Sequence, residues 1–234
     1  MPANRIKLEP ALVRRYSKKS SKRGQRQLGC KILIVCEGEK TEPNYFNAFK
    51  AYNHGTFVYT IDVKGIGQNT IDVVNKAIEL KKKGEYDRVW AVFDKDSFSS
   101  KKFNGAIIKA RQNGIDCAWS NEAFELWYLY HFVNRTTAMN RSEYQKAISK
   151  EVNKSVLYKS KHVYKYMKND VENYNIMNKY GSMKNAIKYA ESNSLIYNDE
   201  QYANHNPCTM VYLLVKQLIG EDDILNQQIL QSMK

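Results

Sequence analysis

KILIVCEGEKTEP, residues 31–43, and RVWAVFDKD, residues 88–96, decide the fold. Each opens on a short, β-branched apolar run with no polar face, the pattern of a strand buried on both sides of a parallel sheet. Each then turns acidic at once, with Glu37 and Glu39 after the first run and Asp94 and Asp96 at the end of the second. In an open parallel α/β sheet, ligands bind outside the carboxyl ends of the strands. The carboxylates are therefore expected on the edge where chemistry takes place.

Reading outward, Pro43 suits the first turn of a helix, and Tyr45, Phe46 and Phe49 give that helix an apolar face to about Tyr52. Residues 57–63 alternate as a strand does, and Gly65 and Gly67 end it. The spacing of Ile71, Val74 and Ile78 predicts a helix over 70–83, followed by the strand 88–93, a helix over 104–113 and a strand over 115–120 closed by Asn121. This alternation predicts an α/β fold, a Rossmannoid parallel sheet flanked by helices with right-handed crossovers. After Phe132 the strand signal stops, and 141–150, 163–179, 183–191 and 209–219 read as helices. The expected organisation is a flexible basic arm over 1–28, an α/β core over 29–133, and a C-terminal helical elaboration over 134–234 packed on that core.

The 234 residues carry 37 Lys and Arg against 24 Asp and Glu, a net charge of +13, which favours a polyanionic partner through counterion release. Nucleic acid leads that class. The arm contributes Arg14, Arg15, Lys18, Lys19 and Arg23, read either as a solubilising tail or as phosphate contacts. Lys and Tyr interleave from Lys154 to Tyr180, which fits a basic face or an ordinary solvated surface. Cys30, Cys36, Cys117 and Cys208 show no metal-binding spacing and are expected to be reduced and mostly buried. No apolar run is long enough to span a membrane, and the start lacks a secretory h-region, so a cytoplasmic protein is expected.

The acidic strand ends suggest a metal. Alternation along a short extended segment puts Asp94 and Asp96 on one side, and with Glu37 they make three hard oxygen donors, the set that Mg²⁺ or Mn²⁺ takes. Glu39 is a further candidate ligand, Lys40 a candidate charge stabiliser, and Lys95 a nucleic-acid contact or a side chain turned the other way. Lys40 and Thr41 lack the glycines of a P-loop, which excludes an intrinsic P-loop ATPase. Asn121 and Glu125, four apart, are expected on one face of a helix that starts near Asn121, with Asn121 as its cap and Glu125 as a fourth carboxylate or general base. Phe124, Trp127 and His131 form the opposite stripe, read as a packed core with a hydrogen-bonded histidine in preference to a catalyst. Asn206 and Pro207 read as a cap and first-turn proline of a last helix that Gly220 stops.

Taken together, VCEGEKTEPNYF (35–46), VFDKD (92–96), SNEAFELW (120–127) with His131, and NPCTMV (206–211) resemble the ordered motifs of RloB proteins. That resemblance implies a Toprim-like fold, with Glu37 as the glutamate after strand one and Asp94 and Asp96 as the D-x-D pair. It also implies an antiphage-defence setting, commonly beside an ABC- or AAA-type ATPase partner, and relatives that cleave tRNA.

The expected function is a Mg²⁺- or Mn²⁺-dependent endonuclease acting on RNA, including tRNA, or on DNA. Glu37, Asp94 and Asp96 would hold the ion, and Glu39 or Glu125 would serve a second one. The rival reading is a non-catalytic nucleic-acid-binding subunit of an ATPase complex. A homo-oligomer is compatible with both.

Overall fold

The computed structural model describes residues 28–51, 57–84, 86–224 and 227. The basic arm, with Arg14, Arg15, Lys18, Lys19 and Arg23, lies outside the described residues.

Five strands form one sheet: β1 (Leu28–Cys36), β2 (Phe57–Gly65), β3 (Arg88–Asp94), β4 (Asp116–Asn121) and β5 (Cys208–Thr209), in the order β2-β1-β3-β4-β5. The first four run parallel, and β5 pairs antiparallel with the end of β4. The expected α/β sheet flanked by helices is what the chain forms. The interior place of β1, between β2 and β3, explains its unbroken apolar run: Ile32, Ile34 and Cys36 point into one layer, Leu33 and Val35 into the other, and all five are fully buried. Truncating one of the larger of these side chains to alanine would cost about 2–5 kcal/mol.

Two helices cover one face, α2 (Thr70–Lys82) and α3 (Ser100–Gln112), through Val73, Val74, Ala77, Phe103, Ile107 and Ala110. Ser99 caps α3 by accepting from the Lys102 amide at 3.4 Å, so that helix starts four residues earlier than its apolar period suggests. The opposite face is covered by α1 (Thr41–Asn47), with a tight turn over Ala48–Ala51, and by the helices of the second half. These are α4 (Glu125–Tyr130), α5 (Tyr144–Lys154), α6 (Asn173–Tyr180), α7 (Met183–Ser194) and α8 (Val211–Leu218). Tyr144, Ile148, Met177, Ala186, Val211 and Leu214 join the same apolar cluster as Ile32 and Ile34, so the second half completes the core of the first. Among the described residues no helix is long and apolar enough to cross a membrane.

Three local expectations are corrected. Asn121 is not a helix cap: it ends β4, its side-chain amide donates to the Ala203 carbonyl at 2.9 Å, and α4 begins only at Glu125. Asn206 and Pro207, joined by a cis peptide, precede β5 and not a helix; the chain pairs with β4 before α8 starts at Val211. The helix predicted over 163–179 forms only from Asn173. Val163, Met167 and Val171 do recur at a helical spacing, but all three stay exposed, with no apolar surface to reward the turn. Gly220, at φ +77°, does end α8 as expected.

His131 follows α4 and is buried in the core as the sequence suggests. Its ring Nδ1 bonds to the Trp127 carbonyl at 3.0 Å, the ring meets Trp127 edge-on, and its own carbonyl accepts from the Ser182 amide at 2.8 Å. Burial lowers its pKa to about 4. The unfolded chain takes up a proton on this ring below about pH 6.5, whereas the folded chain does not until about pH 4, so acid favours unfolding across that window. His131 should therefore cost the wild-type protein about 2 kcal/mol at pH 5 relative to pH 7.5. Urea unfolding at the two pH values should show a smaller acid loss in His131→Gln than in wild type; an equal loss would mean that the ring is charged or exposed.

Candidate active site

The strand order singles out one position. From β1 the chain moves to one side to form β2, then crosses back to form β3 on the other side, so the carboxyl ends of β1 and β3 flank the point where the winding reverses. Glu37 is the first residue past β1 and Asp94 the last of β3. The backbone ties them together: the Glu37 amide donates to the Val92 carbonyl at 2.9 Å, and the Asp94 amide donates to Glu37 Oε2 at 3.1 Å.

The loop after β1 folds back over this point. Gly38 leaves room for the Glu42 carboxylate, which would collide with any Cβ there. Gly67, at φ +59°, donates its amide to the Glu37 carbonyl at 3.0 Å and packs under the Glu39 carboxylate, 2.6 Å from where a Cβ would stand. Asp96 lies past the strand with φ +39°, a left-handed conformation that Asp tolerates better than most residues. Its place at the site comes from that turn and not from the strand alternation expected of it. The result is a cavity of about 510 Å³ lined by Glu37, Glu39, Lys40, Glu42, Asp94, Asp96, Arg141 and Lys168, among others.

Five predicted residues, Glu37, Glu39, Lys40, Asp94 and Asp96, thus meet in one cavity. Glu125 does not line it. It is buried at the start of α4, with Oε1 accepting from the Tyr166 hydroxyl at 3.3 Å and lying 4.0 Å from Lys168 Nζ, while Oε2 has no hydrogen-bond partner. Lys95 turns away and donates to the Phe98 carbonyl at 2.5 Å. Trp127 belongs to the core, and Asn121, His131, Asn206 and Pro207 do not line the cavity either.

Three site residues escape the sequence reading. Glu42, buried at 6% exposure, looks there like an ordinary acidic residue of a helix first turn. Arg141 pairs with Asp96 from the turn before α5 and has its amide bonded to Glu122 Oε2 at 3.2 Å. Lys168 arrives on a segment pinned to α1, where the Thr41 hydroxyl donates to the Lys168 carbonyl at 3.0 Å and the Asn44 side-chain amide donates to the Asn169 carbonyl at 3.2 Å. Nothing local marks those two cations among the many in the second half.

The carboxylates oppose one another's ionisation. Burial pushes Glu37 up to about 7, with the charges of Glu42 and Asp96 adding to it and the Asp94 amide and Arg141 working against it. Burial first, then Glu42, Glu125 and Glu37, hold Asp94 well above the usual carboxylate range, against the pull of Arg141. Burial likewise raises Glu42, with Lys168 and Arg141 partly offsetting it. Acids kept this close without full neutralisation are characteristic of functional clefts.

The donors are all hard oxygens, and the buried Glu125 Oε2 adds an orphaned acceptor behind them. In chemistry, this set fits Mg²⁺ or Mn²⁺ and not a thiolate-seeking ion. Among the described residues no three acidic, His or Cys side chains already close around a single point. Side-chain rearrangement, beginning with release of Asp96 by Arg141, would have to accompany ion binding.

Comparison with known proteins gives one result. The family model described as RloB-like protein matches residues 32–218, most of the chain, and spans every residue of the cavity named above. No curated protein and no solved structure matches.

The crowding has a measurable consequence for the metal-free protein. Glu37 is protonated in the folded state up to about pH 7, so its contribution to stability is present in acid and is lost as pH rises through that value. Glu37→Gln keeps the oxygen that accepts from the Asp94 amide and removes the charge. In chelator at pH 8 the variant should be more stable by about 1–2 kcal/mol, allowing for solvent screening of a half-buried group, which raises the melting temperature by a few degrees. At pH 4.5 the gain should disappear. A variant that melts lower at pH 8 would show that this carboxylate is neutralised within the fold.

Proposed function

Because the chain belongs to the RloB-like family and gathers acidic and basic side chains at the reversal point of its sheet, we propose that it is a metal-dependent, Toprim-like nuclease. Its substrate is nucleic acid, RNA including tRNA or else DNA. The observation that carries the reading is the cavity itself, where Glu37, Glu42, Asp94 and Asp96 face Lys40, Arg141 and Lys168 across about 510 Å³ of space.

Glu37, Asp94 and, once free of Arg141, Asp96 would hold Mg²⁺ or Mn²⁺, with Glu42 at hand from α1, and such an ion would supply Lewis-acid polarisation of the scissile phosphate and activation of water. The chain supplies the rest. Lys40 and Lys168 neutralise non-bridging phosphate oxygens and orient the strand. Arg141 has two roles: in the free protein its guanidinium offsets the charges of Asp94 and Asp96, and with substrate bound it would move to the phosphate and stabilise the negative charge that builds on its oxygens during attack. Glu125 is a positioning residue in this scheme. From its buried place it holds the Tyr166 hydroxyl and faces the ammonium of Lys168. The antiphage role and the ATPase partner implied by the family resemblance complete the proposal, with cleavage as the toxic output.

The Arg141–Asp96 pair also favours a second reading, in which the cavity is neutralised from within and the chain is a binding subunit without catalysis. The two separate cleanly. Purified protein incubated with tRNA, unstructured RNA and plasmid DNA should cut at least one of them with Mn²⁺ and none in chelator, and Glu37→Gln and Asp94→Asn should fall to background while still binding. Arg141→Ala should lower kcat by about a hundredfold, and Arg141→Lys should recover little because the bidentate fork is lost. Cleavage unaffected by Glu37→Gln and Asp94→Asn would end the nuclease assignment at this cavity. Binding without cleavage under every condition would favour the subunit.

A further inference from the structure

Residues 155–172, between α5 and α6, leave the expected helix and run as an ordered strap. Side chains of α5 hold its backbone: Asn153 donates to the Tyr164 carbonyl and accepts from the Tyr164 amide, each at 2.9 Å, and Ser149 Oγ accepts from the Tyr166 amide at 2.9 Å. At the far end Asn173 donates to the Met167 carbonyl at 2.9 Å. Such bonds replace the hydrogen bonds a helix would have made and fix which side chains face out.

What faces out is unusual in two ways. The strap and its approach carry Lys154, Lys159, Lys161, Lys165 and Lys168, and no acidic residue occurs between Glu151 and Asp170. Of the eleven exposed large hydrophobic side chains among the described residues, five lie here: Val156 at 85%, Val163 at 76%, Met167 and Val171 at 66%, and Leu157 at 60%. A solubilising surface would not combine the two, since each exposed apolar side chain gains only by being covered. The strap also ends at the cavity, where Lys168 and Asn169 form part of the wall.

We propose that the strap is the binding surface for an unpaired stretch of nucleic acid, which it leads into the cavity through Lys168. The inference rests on the nuclease reading for its direction and deepens it by naming the substrate form. Charge complementarity selects a polyanion. The apolar side chains narrow the choice: a duplex offers them phosphates and grooves, whereas a single strand or loop presents bases whose faces can be covered. Lysines thus track the backbone while Val156, Leu157, Val163 and Met167 shield unstacked bases.

The test uses the full chain carrying Glu37→Gln, in chelator, so that the probe stays intact. Fluorescence anisotropy would compare a labelled unstructured oligonucleotide with a blunt duplex of the same sequence. The parent should prefer the single strand. Replacing Lys159, Lys161 and Lys165 together by Ala should weaken its binding at least about tenfold and lower the slope of log affinity against log salt by about two to three. Val163→Ser with Met167→Ser should weaken the single strand severalfold and leave the duplex unchanged. All five side chains are exposed, so melting temperatures should match the parent and exclude misfolding as the cause. Equal affinity for the two probes, or a lysine variant that binds like the parent, would overturn the inference and leave the apolar side chains as a protein contact. Cleavage plays no part in the readout. A chain that binds through the strap and never cuts would lose the nuclease reading and keep this one.

Discussion

The structure depends on the mutual repulsion of carboxylates held at one point of the sheet. Glu37, Glu42, Asp94 and, behind them, Glu125 are brought out of water by the packing that makes the core; the charge of Glu42 opposes ionisation of Glu37, that of Glu125 opposes ionisation of Glu42, and all three oppose ionisation of Asp94. Folding alone gives no reason to collect them, because apolar residues of similar volume would cost less at the same place. The chain offsets the repulsion from a distance, with Arg141 and Lys168 supplied by the second half. Without the second half, the first would present an acidic cleft with Lys40 as its nearest cation.

The attachment of those cations follows the same logic. Arg141 sits at a turn stabilised by the capping box of Asn140 and Glu143 and by the bond from its own amide to Glu122. Lys168 is held through its backbone by Thr41, which leaves the ammonium to choose its partner. In each case the main chain is fixed and the long side chain is left able to move. That division suits groups that must balance buried charge in one state and reach a phosphate in another, at the cost of ordering only a few side-chain torsions.

How much of this could be read in advance follows from the range of each signal. The four parallel strands and the helices between them are written in local periodicity, and the acidic strand ends in direct succession to it, so Glu37, Asp94 and Asp96 were legible together with the fold. Asp96 lines the cavity because the turn at φ +39° brings it round, whereas the sequence suggests strand alternation. Asn121 and Asn206 looked like caps because an isolated Asn before an apolar run usually is one; here pairing between β4 and β5, 87 residues apart along the chain at Asn121 and Cys208, took precedence. Arg141 and Lys168 carried no local mark at all. A cation among many acquires its meaning only from where the tertiary fold puts it.

The failure of the helix over 163–179 is the most instructive case, because its period was genuine. Val163, Met167 and Val171 stand four apart as an amphipathic helix requires, yet a short helix gains most of its stability from the face it buries. The core opposite them is already filled by Tyr144, Ile148, Val152 and Met177. With no apolar surface left to receive it, the segment satisfies its backbone through Asn153, Ser149 and Asn173 and leaves the stripe in water. A hydrophobic period that the fold declines to bury still costs solvation in the free protein, and that cost is recovered only when something covers it. The fold therefore carries uncovered apolar side chains on a basic segment that ends at the cavity, and an extended anion with apolar faces complements both the lysines and the stripe.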